Sequence, residues 1–416
     1  MQLQRATKIA RDVFPLGEAV EDEPWKGQRP CFPDSLPIVG PAPRHKGLWL
    51  DFGHGHVGFT IGPITGQLMA EMAAARGLSP LLSGRNAEKL RAVAEPLGLE
   101  YRAVSLDDKT GLEALLADAS LVLHIAGPFS ATAQPMVAAC LATQTHYLDI
   151  TGEIDIFERH YTLNEEAINA GIMIMSGVGF DVVPTDCLAA HIKQRLPDAT
   201  ELNISIDGGG SLSPGTAKTA MESIGRRTLA RRGGQLTELS RHLYGKADFG
   251  RGERTTIAMS WGDVSTAYRT TSIPDITVYF KLTPVLKKLM GLPMWMRKVM
   301  GSPVPQQFIK RQIEKHITGP SSEQRAKGFT FIIAEAVNAK GEKATSTLQT
   351  PDGYTFTCTC GLAITQRVLQ GDCQAGFQTP GGMYGPDLIL PFEGVKRTDI
   401  LRPLAEGLPQ AIITEK

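Results

Sequence analysis

Glycines 53, 55, 58, 62 and 66 crowd one short stretch that leads into an apolar helical pattern. A strand, a glycine-rich turn and a helix N-terminus together make a pyrophosphate site. Glycine lets the backbone approach the phosphates, and the helix N–H groups stabilise their charge. Gly53, Gly55 and Gly58 satisfy a G-x-G-x-x-G spacing, but the helical pattern, read from Gln67 to Ala75, starts about seven residues later than that fingerprint needs. A second register, Gly62-x-x-Thr65-Gly66, stands directly before the helix and is the preferred phosphate contact. The plain alternative is a long loop whose glycines only turn the chain.

Further candidates follow at intervals. Ser83, Gly84, Arg85 and Asn86 close the next strand pattern. A site selecting NAD carries an acidic residue here for the ribose hydroxyls, whereas a guanidinium suits the 2′-phosphate of NADP. Arg85 is therefore the expected 2′-phosphate contact, with Ser83 and Asn86 beside it; the bland reading is a solvated arginine. Ala126-Gly127-Pro128-Phe129 ends a short apolar strand, which places Gly127, Pro128 and Phe129 next to a nicotinamide ribose, or makes them an ordinary strand-to-helix turn. Tyr147, Asp149 and Glu153 follow the next strand end, in ligand or structural roles, and Asp181 faces either a cleft or a helix N-cap.

Other groupings carry less chemistry. His54 and His56 have no third ligand near them, so no metal site is expected. Cys358 and Cys360 read as neighbours on one face of a strand, a packed thiol pair. The stretch 284–317 is apolar and basic, with Lys287, Lys288, Trp295, Arg297, Lys298, Lys310, Arg311 and Lys315. It reads either as a pair of core-facing helices with a solvated basic face or as a peripheral membrane or acyl-chain contact.

These residues need a frame. From Leu78 to Ser176 short apolar strands alternate with amphipathic helices: strands at 78–83, 99–105, 120–126, 146–150 and 172–176, helices at 87–97, 110–119, 131–143 and 157–170. That alternation calls for a parallel sheet covered on both faces. The organisation expected is a loop-rich segment 1–46, a Rossmann-type doubly wound domain 47–190 and a mixed α+β domain 191–416. Gly47–Phe52 is read as a strand of the first sheet. Longer strands are read at 202–207, 255–261, 275–282, 329–338 and 344–348, with a hairpin turn at Asn338–Gly341.

Composition narrows the class. The 416 residues hold 43 Lys and Arg against 43 Asp and Glu, so no global field gathers nucleic acid. Six dispersed cysteines without a C-x-x-C pair suit reduced thiols in a cytoplasm. No run reaches the length of a membrane span, and the charged N-terminus lacks the apolar region of a signal peptide.

The residues also carry two resemblances. From about 65 to 416 the chain resembles the saccharopine-dehydrogenase-like oxidoreductases, and within them the trans-acting enoyl reductases. The carriers are Ser83–Leu90, Ala126–Phe129, Tyr147–Glu153, Gly177–Pro184 with Asp186-Cys187, and Gly376–Pro380. This resemblance implies a Rossmann-type NADP-binding domain, a mixed α+β partner domain and reduction of an enoyl or related acyl substrate, such as an acyl thioester. From about 25 to 68 the chain resembles the C-terminal end of FAD-dependent D-amino-acid dehydrogenases, through Pro33–Pro41, Leu48–Leu50 and Gly53–Thr60. That family's adenine-binding unit is missing, so FAD is not expected to bind this piece. The two resemblances meet near 60–68. There the glycine loop departs from the first family's pattern, with Thr60 and Pro63 where glycines are expected. The leading expectation is an NADP-dependent oxidoreductase. The alternatives are a non-catalytic binding protein with an impaired nucleotide loop and, more remotely, a flavin-linked amino-acid oxidoreductase that would purify yellow. No proton donor is assigned, and homo-oligomerisation stays open.

Overall fold

The computed structural model describes residues 38–41, 49–52, 61–127, 129–208, 225–250, 252–300, 302, 305, 309 and 328–400. The chain divides into two units, Met1–Gly58 and Phe59–Lys416. In the first, β1 (Ile38–Pro41) and β2 (Trp49–Phe52) form an antiparallel pair, with Ile38 opposite Phe52. The strand expected at Gly47–Phe52 thus exists, but its ladder is this hairpin and not the parallel sheet.

The second unit opens with α1 (Ile61–Ala75), then β3 (Leu82–Gly84), α2 (Ala87–Leu97), β4 (Tyr101–Ala103), α3 (Lys109–Leu116) and β5 (Leu121–His124). It continues with α4 (Phe129–Thr143), β6 (His146–Asp149), α5 (Ile154–Thr162), α6 (Asn164–Ala170) and β7 (Met173–Met175). Local chemistry sets these ends. Asn86 caps α2 by accepting from the Lys89 N–H, and Gly98 closes it in the left-handed region. Asp108 caps α3 through the Gly111 N–H. The helix expected over 157–170 is two helices, because the chain bends at Leu163 (φ −89°, ψ 6°), whose N–H turns back to His160.

Parallel pairing joins these strands, as the alternation required, but in two ladders: β3 with β4, and β5, β6 and β7 in a row. They are the two flanks of a doubly wound order, in which a further strand lies between β3 and β5. Among the described residues that place has no strand.

After α7 (Val183–Arg195) the chain builds a second sheet. Its members are β8 (Ala199–Gly208), β9 (Leu229–Arg232), β10 (Gln235–Glu238), β11 (Tyr244–Asp248) and β12 (Glu253–Ala258), then α8 (Asp263–Thr271) and β13 (Asp275–Lys281). Two short helices follow, α9 (Pro284–Met290) and α10 (Met294–Met300), then β14 (Phe329–Asn338), β15 (Lys343–Pro351) and α11 (Gly353–Leu369). The last elements are β16 (Gly376–Phe377), α12 (Pro380–Tyr384) and β17 (Lys396–Ile400). The order β10-β9-β13-β8-β14-β15-β17 is mixed: β8 and β13 run parallel and the other ladders antiparallel. β16 returns to extend the first sheet beside β7. Strict alternation along β14 and β15 buries one face, including Ile332, Ala334, Ala336 and Leu348. The hairpin between them turns at Asn338–Gly341, with Gly341 at φ +82°.

One core joins the two sheets. Leu148, Met173 and Met175 of the parallel sheet share a cluster with Ile204, Val278 and Ile332 of the mixed sheet, through Val183, Leu188 and Ile192 of α7. α11 corrects the strand reading around Cys358 and Cys360. Those cysteines lie on a helix, both buried, and Thr357 and Thr359 donate back to the carbonyls of Gly353 and Thr355. The β-favouring run Thr-Phe-Thr-Cys-Thr is overridden by the Asp352 cap on Tyr354 and Thr355 and by burial of Phe356, Cys360 and Ile364 at helical spacing.

Candidate functional site

In open α/β sheets ligands bind outside the carboxyl ends of the strands. Here those ends belong to β3, β5, β6 and β7. At β3 the expected adenosine contacts divide by role. Ser83 and Arg85 are exposed, and Arg85 has no hydrogen bond or ion pair with the described residues. Asn86 spends its side-chain oxygen on the α2 cap. The register adds a residue not foreseen: Arg102 of β4 stands directly opposite Ser83, on the same face, and is also exposed. Only the pairing of β3 with β4 shows that this second guanidinium stands there.

The glycine register sits differently from expectation. α1 starts at Ile61, so Gly62, Thr65 and Gly66 lie within its first turns and not in a loop ahead of it. Pro63 suits that place, since the N–H it lacks has no intrahelical partner in a first turn. Among the described residues, a Cβ on Gly66 would meet nothing within 4 Å. Gly53–Thr60, with His54 and His56, lie outside the described residues, as does Pro128.

At β5 the turn Ala126–Gly127 leads into α4. Thr132 donates to the Ala126 carbonyl at 2.7 Å, and the Phe129 N–H, at the helix start, donates to Glu153 Oε1 at 3.0 Å. The turn expected beside the nicotinamide ribose therefore already holds a carboxylate of the chain at its helix N-terminus. Gly127 is not sterically required, because a Cβ there would touch the Phe129 ring at an ordinary 3.5 Å.

Asp149 is fully buried at the end of β6 and ties the neighbouring turns together. Its Oδ1 accepts from the N–H groups of Thr151 and Gly177, both at 2.9 Å. Gly177 follows β7 with φ +78°, a conformation that favours glycine. Around Asp149 lies a buried polar group. His124 Nδ1 is 3.1 Å from the Tyr147 hydroxyl, and His160 Nδ1 is 2.7 Å from the Ser176 hydroxyl and 3.9 Å from Asp149 Oδ2. Burial pushes the Asp149 carboxyl up to about 6, against the pull of hydrogen bonds from Thr151, Gly177, Tyr147 and Ser176. Burial pushes His124 and His160 down to about 4. At neutral pH both imidazoles are thus uncharged. Sequence reading found Tyr147 and Asp149 but missed His124, Ser176 and His160, because only the parallel register sets His124 opposite Asp149 and only packing brings Ser176 and His160 of α5 beside it.

Asp181 does not cap α7, the second of its two readings. Its carboxylate faces Gly152, where a Cβ would stand 2.8 Å from Oδ2, and α7 has no side-chain cap. Burial raises Asp181 to about 6. Gly152→Ala is expected to push this carboxylate aside and lower stability by about 1 kcal/mol; urea unfolding measures it, and an unchanged midpoint would show that the turn yields freely. At the seam with the second sheet, Asp186 accepts from Thr270 Oγ1 at 2.6 Å and from the Gly381 N–H at 2.7 Å, joining α7, α8 and α12. Among the described residues no three His, Cys, Asp or Glu side chains are gathered to hold a metal ion.

Parallel strands with covering helices and a mixed second sheet define a Rossmann-type two-sheet architecture. Residues 57–175 match the family described as Saccharopine dehydrogenase NADP binding domain, and residues 2–72 match the family described as FAD dependent oxidoreductase. The chain is 31% identical over 166 residues to a trans-acting enoyl reductase of Mycobacterium ulcerans, covering 38% of this chain and 37% of that protein. It is 28% identical over 192 residues to a saccharopine dehydrogenase-like oxidoreductase of Rattus norvegicus, covering 41% of this chain and 45% of that protein. The matches thus span less than half the length of these curated relatives. Among solved structures, saccharopine dehydrogenase (L-Glu forming) from Saccharomyces cerevisiae shares the fold, with a TM-score of 0.56 at 12% identity, covering 82% of this chain and 98% of that one. Both resemblances read from the residues are therefore present in the comparisons, as the matches of residues 57–175 and 2–72.

Proposed function

We propose that this chain is an NADP-dependent oxidoreductase that reduces an enoyl or related acyl substrate. The observation that supports NADP is Arg85. It is exposed at the carboxyl end of β3, unpaired among the described residues, with exposed Ser83 and Arg102 beside it. Free guanidinium donors fit a 2′-phosphate, and Ser83–Asn86 holds no acidic residue for unphosphorylated ribose. When bound, the dihydronicotinamide supplies a hydride; binding, orientation and shielding fall to the chain. Arg85, Ser83 and Asn86 hold the adenosine end in this reading. Gly62, Thr65 and Gly66 hold the pyrophosphate, and the turn of Gly127, Pro128 and Phe129 lies at the nicotinamide ribose. The acyl class comes from the enoyl reductase relative.

Calorimetry with NADPH, and NADH as control, tests the reading on purified protein. Micromolar NADPH binding with weaker NADH binding is the expected result. Absence of binding at millimolar cofactor would overturn it.

A second reading, a binding protein without catalysis, is favoured by two observations: the parallel strands form two ladders, and the Phe129 N–H is already engaged by Glu153. That reading predicts no cofactor binding in the same experiment.

A further inference from the structure

From Ile276 to Ile313 a chain of zero net charge has no acidic residue but seven lysines and arginines. Within this run α9 and α10 expose large apolar side chains: Val285 is 67% exposed, Trp295 65% and Val299 53%. Lys287, Lys288 and Lys298 are exposed on the same two helices. Trp295 and Val299, four residues apart, share one face of α10. Arg297 turns inward instead. It is 3% exposed, and its guanidinium donates to the sulfur atoms of Met290 at 3.5 Å and Met294 at 3.7 Å. That contact ties together the two helices that carry the outward lysines and apolar side chains.

We infer that α9 and α10 form a docking surface for an anionic lipid bilayer. A tryptophan rests stably where one side is apolar and the other wet, and flanking lysines add attraction to acidic headgroups. The charge argues against a second copy as the occupant. A two-fold contact would set this all-cationic surface against itself. No helix among the described residues is long and apolar enough to cross a membrane, so the contact is peripheral.

The test is co-sedimentation of the full chain with phosphatidylcholine vesicles and with vesicles also containing phosphatidylglycerol. Binding is expected only with phosphatidylglycerol, falling as salt rises. Lys287→Glu with Lys288→Glu should lower partitioning at least about 25-fold, taking about fivefold per lost cation. Trp295→Ser should lower it about tenfold. All three side chains are exposed, so thermal unfolding should be unchanged and confirms that the variants fold. Failure of the wild type to bind acidic vesicles at low salt overturns the proposal, as does binding indifferent to Trp295→Ser. Concentration-dependent self-association that Trp295→Ser abolishes, without vesicle binding, would assign the surface to a second copy and also overturn it.

Discussion

Asp149→Ala should destabilise the protein by about 4 kcal/mol, from the loss of one acceptor shared by several buried donors. The carboxylate receives the N–H groups of Thr151 and Gly177, and no water can replace it at full burial. Asp149→Asn retains an acceptor oxygen for both N–H groups, so its cost should be smaller, about 1 kcal/mol. Denaturant unfolding measures both, and equal losses would show that the backbone contacts are not what Asp149 supplies. The pH dependence separates charge from geometry. A carboxyl raised from 3.8 to about 6 keeps its proton longer in the folded state. Its contribution is fully present below pH 3.8 and is lost as pH rises towards 6. His124 and His160, depressed from 6.5 to about 4, act oppositely: the unfolded chain takes up protons first, and stability falls as pH drops from 6.5 to 4. Asp149→Asn removes the opposing carboxyl and leaves the histidines. Its stability should therefore rise more steeply than wild type between pH 4 and 6. Parallel curves would mean that Asp149 does not titrate in that window.

Arg85→Ala should weaken NADPH binding about 30-fold, or about 2 kcal/mol, and leave NADH binding unchanged. In the proposed reading this guanidinium, at the end of β3, acts on the 2′-phosphate alone, which NADH lacks. Its exposure keeps the effect below that of a buried ion pair. Arg85→Lys keeps the charge but loses the two-pronged geometry, so it should fall between. Loss of both cofactors alike would place Arg85 on a part they share. No change in either would make Arg85 a solvated surface residue and leave Arg102 as the cation to examine.

The sequence by itself determined the order of helices and strands in the first sheet, the hairpin at Asn338–Gly341 and the place of Arg85. These follow from local rules: periodicity, caps, turn residues and a strand that ends where its apolar run ends. Ala87–Leu97 was legible residue for residue because Asn86 and Gly98 mark its ends. Tertiary structure decided what depends on partners distant in the chain. The ladder of β2 with β1, the division of the parallel strands into two ladders among the described residues, and the helix at Cys358 and Cys360 were settled by pairing and burial against local expectation. The polar group around Asp149 is the sharpest instance. Tyr147 and Asp149 share a face by strand alternation, but parallel register alone sets His124 opposite Asp149, and packing alone brings His160 and Ser176 to it. Hydrogen bonds across strands and the burial that shifts these pKa values arise between segments, so no single segment's residues can specify them.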